Sequence, residues 1–206
     1  SGQLPEQGTE NFEFIGELAL DGQLRPISGT LSIAIACQQA RHQLILPEAN
    51  AQEASQLPNF QVFAAQHLKQ VCEHLSQNHL IQQFQPTALK ASQHYKFDLA
   101  DVTGKLRPSR ALEIAAAGGH SLLFKGPPGT GKTLLASRLA SILPPLNTQE
   151  NLEVASIYSV ANHQHPFGQR PFRAPHHTAS AVALVGGGSQ PKPGEITLAH
   201  KGVLFL

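Results

Sequence analysis

Eight consecutive residues carry the types and spacing for polyphosphate chemistry: Gly126, Pro127, Pro128, Gly129, Thr130, Gly131, Lys132 and Thr133. They satisfy G-x-x-x-x-G-K-[ST], the pattern of phosphate-binding loops. The glycines let the backbone wrap tightly, so that its N–H groups turn inward on an anion. Lys132 is spaced to reach the β- and γ-phosphates of a nucleotide, and the Thr133 hydroxyl to ligate Mg²⁺. Lys132 is therefore the predicted catalytic residue, residues 126–133 the predicted ATP-binding set, and Thr133 the predicted metal ligand.

Such a loop works between a strand end and a helix start. Leu122, Leu123 and Phe124 read as a buried strand, and residues 134–143 carry apolar side chains at helical spacing. The helix N-terminus adds the positive end of its dipole. An earlier helix is marked by Pro108 and Ser109 at its start and by Gly118 and Gly119 at its end. Asn147, with Glu150 three residues on, opens another, to about Val160. Residues 162–177 are poor in regular signals. Residues 181–185 and 195–199 are predicted as two strands flanking a Gly- and Pro-rich tip that carries Lys192, and residues 203–206 as a buried strand.

The first half has its own pattern. Residues 1–11 are polar. Residues 14–20 read as a strand that turns at Asp21-Gly22 and returns over 23–27. A helix over 30–41, a strand over 43–47, a short helix within 48–57 and a strand over 59–64 follow. An amphipathic helix over 67–80 places Leu68, Val71, Cys72 and Leu75 on one face. The Gln- and His-rich stretch 81–95, with Pro86, is a linker by composition. The predicted organisation is a first domain over 1–85, a linker over 86–97 and a second domain over 98–206.

Composition adds bounds. The sequence holds no Met and stops inside the apolar run 202–206, so it is expected to continue. No apolar stretch is long enough to span a membrane and no signal peptide is evident. A cytoplasmic location without a membrane partner is expected. Cys37 and Cys72 stand apart and read as reduced thiols. Residues 1–98 carry five Lys/Arg against nine Asp/Glu, and residues 99–206 ten against five. A basic second half suits a polyanionic partner, although it holds no dense basic run.

Residues 16–29, with the following helix and the run Leu44-Ile45-Leu46-Pro47, resemble the C-terminal half of the Lon protease catalytic domain, which has the ribosomal-S5-like fold. Active Lon proteases carry a catalytic Lys just after the equivalent glycine pair. Leu31 stands there in this chain, and a Ser–Lys dyad needs that amine as its base. The nucleophilic Ser would also lie upstream of Ser1. The resemblance thus implies a scaffold without proteolytic activity.

Residues 98–206 resemble the start of the AAA+ module of magnesium-chelatase-related ATPases. The resemblance is carried by residues 112–120, by the loop at 126–133, by Arg170-Pro171-Phe172-Arg173-Ala174-Pro175-His176-His177, and by residues 185–188 and 193–206. A Lon-like half ahead of such a module is similar to the ComM (YifB) family rather than to a chelatase subunit. The fold class implied is α/β: a partial ribosomal-S5-like domain, then the first part of a P-loop AAA+ αβα domain with a helix-2-insert hairpin around Lys192.

The resemblance implies a hexameric motor driven by ATP and Mg²⁺, a helicase that promotes DNA branch migration in natural transformation. Its implied partners are branched or single-stranded DNA and further copies of itself. Two other readings stay open: a magnesium-chelatase-like ATPase that remodels a metal-insertion partner, and a nucleotide-dependent interaction module without turnover. In the family an Asp-Glu pair continues the final strand, and the sensors and arginine finger follow. All would lie beyond Leu206, so residues 1–206 alone are expected to bind ATP poorly and not to hydrolyse it appreciably.

Several residues keep open roles. Lys105 follows Gly104 where the family usually has Gln or Asn, which leaves the adenine-side contacts at 101–104 undecided. Lys192 serves either phosphates or solvent. His163, His165, His176 and His177 fit no standard zinc spacing and have no accompanying acid, which favours structural or subunit-contact roles. Arg170 and Arg173 could serve phosphate, DNA or a neighbouring subunit.

Overall fold

The computed structural model describes residues 9–87, 95–188 and 191–206. The residues 1–8 and 88–94, which include most of the expected linker, and Ser189 and Gln190 of the expected tip, lie outside the described residues. The chain divides into two compact units, Ser1–Leu89 with Tyr158–His163, and Lys90–Ile157 with Gln164–Leu206.

In the first unit the elements run β1 (Phe12–Phe14), β2 (Glu17–Leu18), β3 (Leu24–Arg25), α1 (Thr30–Ala40), β4 (Gln43–Pro47), α2 (Glu48–Ala54), β5 (Val62–Ala65) and α3 (Leu68–Leu75). β4 is the centre of a parallel sheet of order β1-β4-β5, with Phe12 opposite Gln43 and Leu44 opposite Val62. Leu44 to Pro47 are all buried, the pattern of a strand covered on both faces. The predicted hairpin forms between β2 and β3, and the Asp21 carboxylate accepts from the Gln23 N–H at 3.0 Å across its turn. α1 turns Leu31, Ala34 and Cys37 into the core. Both cysteines are free thiols, and burial pushes the Cys37 pKa up.

Two elements depart from the pattern reading. The strand expected over 14–20 is split, because Gly16 passes under the ring of Pro47: a Cβ there would meet the Pro47 Cγ at 2.9 Å. The helix expected to reach residue 80 stops at Leu75. Gln77 takes a left-handed turn at φ 57°, and the N–H groups of Asn78 and His79 both return to the Glu73 carbonyl. Beyond it the chain lies along the same unit, where Phe84 N–H donates to the Val62 carbonyl at 2.8 Å.

In the second unit a 3-10 turn, Leu99–Asp101, is closed by reciprocal bonds between Asp98 and Asp101. The elements that follow are α4 (Leu106–Gly118), α5 (Lys132–Ala136), α6 (Leu139–Ile142), α7 (Thr148–Val160), whose last three residues are counted with the first unit, β6 (Phe172–Arg173), α8 (Ala181–Val185), β7 (Gly186–Gly187), β8 (Lys192–Pro193), α9 (Glu195–Leu198) and β9 (Val203–Leu204). Leu99, Leu112 and Leu135 form a buried cluster, with Phe124, Leu139 and Ile142 packed against it. β6 pairs parallel with β9, and β7 antiparallel with β8. At the start of α7 the Asn147 side chain accepts from Glu150 N–H at 2.8 Å and Glu150 accepts from Asn147 N–H at 3.2 Å, the predicted cap. Among the described residues no helix is long and apolar enough to cross a membrane.

Three expectations are corrected here. Residues 121–124 form no strand: no strand pairs with them among the described residues, and Leu123 is 90% exposed. A parallel strand needs neighbours at its edges and cover on its faces. The helix expected over 134–143 is two helices. Its break lies at Ser137 and Arg138, whose side chains both donate to the Leu134 carbonyl and compete with the helical ladder. Residues 181–185 and 195–198 are helical rather than extended, and Ala199 follows as the cap of the second helix. Ser180 caps α8 by accepting from Ala183 N–H, and α9 buries Leu198 while exposing Ile196. The hairpin is smaller than expected and confined to β7 and β8.

Candidate functional site

The eight residues singled out by spacing form one loop and the start of α5. Gly129 and Gly131 sit at φ 78° and 82°, in the left-handed region that glycine adopts at little cost. Gly131 caps α5, which begins at Lys132. The Thr130 hydroxyl donates to the Pro127 carbonyl at 2.9 Å, drawing the loop together. The Lys132 ammonium folds back and donates to the carbonyls of Gly126 and Pro127 at 2.8 and 2.9 Å. Thr133 lies exposed in the first turn of α5. Leu135, two residues on, is buried in the core cluster and anchors the helix that carries Lys132 and Thr133.

The loop is also held from outside. The Lys105 ammonium, just ahead of α4, donates to the Thr130 carbonyl. No spacing signal connects residues 105 and 130. Among the described residues no carboxylate lies within ion-pair distance of Lys105, Arg107, Lys125 or Lys132, whereas Glu150, Glu153 and Glu195 are all paired. Lys105 and Lys132 thus bring two cations without a described carboxylate partner to the loop, and such cations attract an anion.

The arginines left open by sequence have intramolecular partners. Arg170 donates to the carbonyls of Pro144 and Lys201 at 2.6 Å each and lies 3.6 Å from Glu150. Arg173 makes two bonds of 2.6 Å to Glu195. Lys201 lies near both Glu150 and Glu153, and the His200 ring bonds Glu153 at 3.0 Å. The bonds from His200 and Gln149 hold the Glu153 carboxyl below its ordinary pKa.

Lys192 is exposed on β8. The rings of His176 and His177 lie with centroids 4.2 Å apart at a tilt of 32°, His176 bonds the Thr178 hydroxyl, and the His165 ring bonds the Gln169 carbonyl. Burial lowers the His165 pKa, against the effect of that bond. His163 N–H donates to the Tyr158 carbonyl. Among the described residues no group of three His, Cys, Asp or Glu side chains gathers as a metal site.

Comparison with known proteins adds to this geometry. Residues 98–206 match the family described as "Magnesium chelatase, subunit ChlI", and residues 1–50 the one described as "Subunit ChlI of Mg-chelatase". The chain is 49% identical over 210 residues to the protein YifB of Salmonella typhimurium, covering 100% of this chain and 41% of that protein. It is 46% identical over 213 residues to the competence protein ComM of Haemophilus influenzae, covering 100% and 42%. Against YifB of Escherichia coli it is 46% identical over 211 residues, covering 100% and 41%. The chain thus spans about two-fifths of the length of these relatives.

Proposed function

We propose, for a chain that belongs to the magnesium chelatase subunit ChlI family and to its YifB and ComM group, that it carries the nucleotide-binding part of an ATP-driven motor acting on DNA. The observation that carries this reading is the loop at 126–131, which delivers Lys132 and Thr133 to the start of α5, with the Lys132 ammonium held only by the carbonyls of Gly126 and Pro127 among the described residues. The residues suit Mg²⁺–ATP: two left-handed glycines shape the turn, Lys132 can exchange two carbonyls for phosphate oxygens, and the Thr133 hydroxyl is exposed for the metal. The bound nucleotide supplies the phosphoanhydride, and this chain's residues bind and orient it.

The finer reading follows the resemblance. The first unit is a Lon-like scaffold and the second the opening of an AAA+ module. The whole protein assembles as a cytoplasmic homo-hexamer that moves branched or single-stranded DNA, as a helicase in branch migration during natural transformation. The printed name of the Haemophilus relative, a competence protein, supports that direction. A second reading, a chelatase-like ATPase that remodels a metal-insertion partner, is favoured by the ChlI description of both family matches.

ATP hydrolysis by the whole protein, with and without branched DNA, separates the two. Hydrolysis that rises with DNA and vanishes in Lys132→Ala is the expected result. Hydrolysis indifferent to DNA would favour the chelatase-like reading. ATP binding without hydrolysis would leave an interaction module.

A further inference from the structure

We propose that Lys105 is a positioning residue of the phosphate loop: its ammonium holds the Thr130 carbonyl and so aims the Gly131 N–H into the loop, toward the polyphosphate of a nucleoside triphosphate. This rests on reading residues 126–133 as the nucleotide site.

In a trans peptide the C=O of one residue and the N–H of the next point to opposite sides. A cation fixed on the Thr130 oxygen therefore keeps the Gly131 N–H on the far side, away from Lys105. The peptide joining these residues is one that would otherwise turn over readily. It turns about the Thr130 ψ and the Gly131 φ, and Gly131, at φ 82°, has no side chain to resist rotation. The other described side-chain bonds within the loop hold different groups. Lys132 occupies the carbonyls of Gly126 and Pro127, and the Thr130 hydroxyl that of Pro127.

Lys105 holds the 130–131 peptide by contact as well as by its hydrogen bond. A Cβ on Gly131 would meet the Lys105 Nζ at 2.7 Å and its Cε at 3.4 Å, so the end of the lysine lies over the glycine. Lys105 precedes α4, whose Leu112 sits in the same buried cluster as Leu135 of α5. The brace thus ties the loop to the core that carries Lys132. No described carboxylate competes for the Lys105 ammonium.

The test is ATP affinity of the whole protein, by calorimetric titration, for Lys105→Met, Lys105→Gln and Lys105→Arg, with Lys132→Ala as reference. Met keeps the stem and removes the donor, Gln keeps a donor without charge, and Arg keeps both. The expected result is affinity about tenfold weaker for Met, with Gln and Arg restoring most of it. Wild-type affinity in the Met variant, while Lys132→Ala loses binding, would overturn the proposal and leave the nucleotide site standing. Rescue by Arg but not by Gln would also overturn it, because charge rather than aim would then be at work. No ATP binding by the wild type would remove the site itself.

Discussion

Replacing Arg173 by alanine should lower the melting temperature of the second unit without disturbing the phosphate loop. Arg173 on β6 grips Glu195 at the start of α9 through two bonds of 2.6 Å, with side chains 30% and 22% exposed. The geometry is a fork on a carboxylate, stronger and more directional than a single ion contact. Breaking a fully buried pair costs about 3–5 kcal/mol and an exposed one about 0–1 kcal/mol. The partial burial here points to about 2 kcal/mol, or roughly 8 °C in Tm for a unit of this size. Scanning calorimetry on Arg173→Ala, Glu195→Ala and the double variant should give a coupling of about 1 kcal/mol or more. Arg173→Lys should recover less than half, since an ammonium cannot fork. An Arg173→Ala variant that melts with the wild type but loses assembly or DNA-stimulated turnover would refute this reasoning. The guanidinium would then serve a neighbouring subunit or a phosphate.

Stability of the first unit should depend on pH through His74. Its ring packs against Phe12 and Phe63, its Nδ1 accepts from Ile81 N–H at 3.1 Å, and burial lowers its pKa below the ordinary 6.5. A depressed pKa means that the fold favours the neutral ring. Its contribution is therefore complete above about pH 6.5 and is lost as pH falls through the lowered value. The Tm should fall between pH 7 and pH 5, and less steeply in the non-titrating His74→Gln; equal slopes would refute the assignment. Gly202→Ala should destabilise the second unit by about 3 kcal/mol in urea denaturation. Its Cβ would press on the Pro171 backbone, whose carbonyl is held by Val203 N–H at 2.8 Å. A variant of wild-type stability would show that the β6–β9 pair has room to move.

What could be read from sequence was local. The turn of the glycine-rich loop at 126–131, the Asp21-Gly22 hairpin, β4 and the Asn147 cap each declare themselves within about eight residues, because their local signals are complete at that range. The apolar run at 181–185 and the alternating Glu-Ile-Thr-Leu of 195–198 could not be told from strands by periodicity, and the Ser180 cap tips the first toward a helix. Residues 121–124 have strand composition but no described partner, and pairing is not a property of one segment. The side-chain partners of Arg170 and Arg173 lie 20 to 31 residues away along the chain, beyond any spacing rule. Lys105 was visible only as a departure from a family pattern. Its grip on Thr130 depends on how α4 and the loop pack.

The parallel pairing of β1 with β4 sets an order of events during synthesis. β2 and β3 lie a few residues apart and can zip within microseconds of leaving the ribosome. β1 must wait for a partner about thirty residues later, roughly 2–6 s at ordinary translation speeds. Through that interval Phe12 and Phe14 sit on a nascent strand with an open edge, available to any other chain that can add to it. The pace of translation from Phe14 to Ile45 therefore governs how long this segment needs protection.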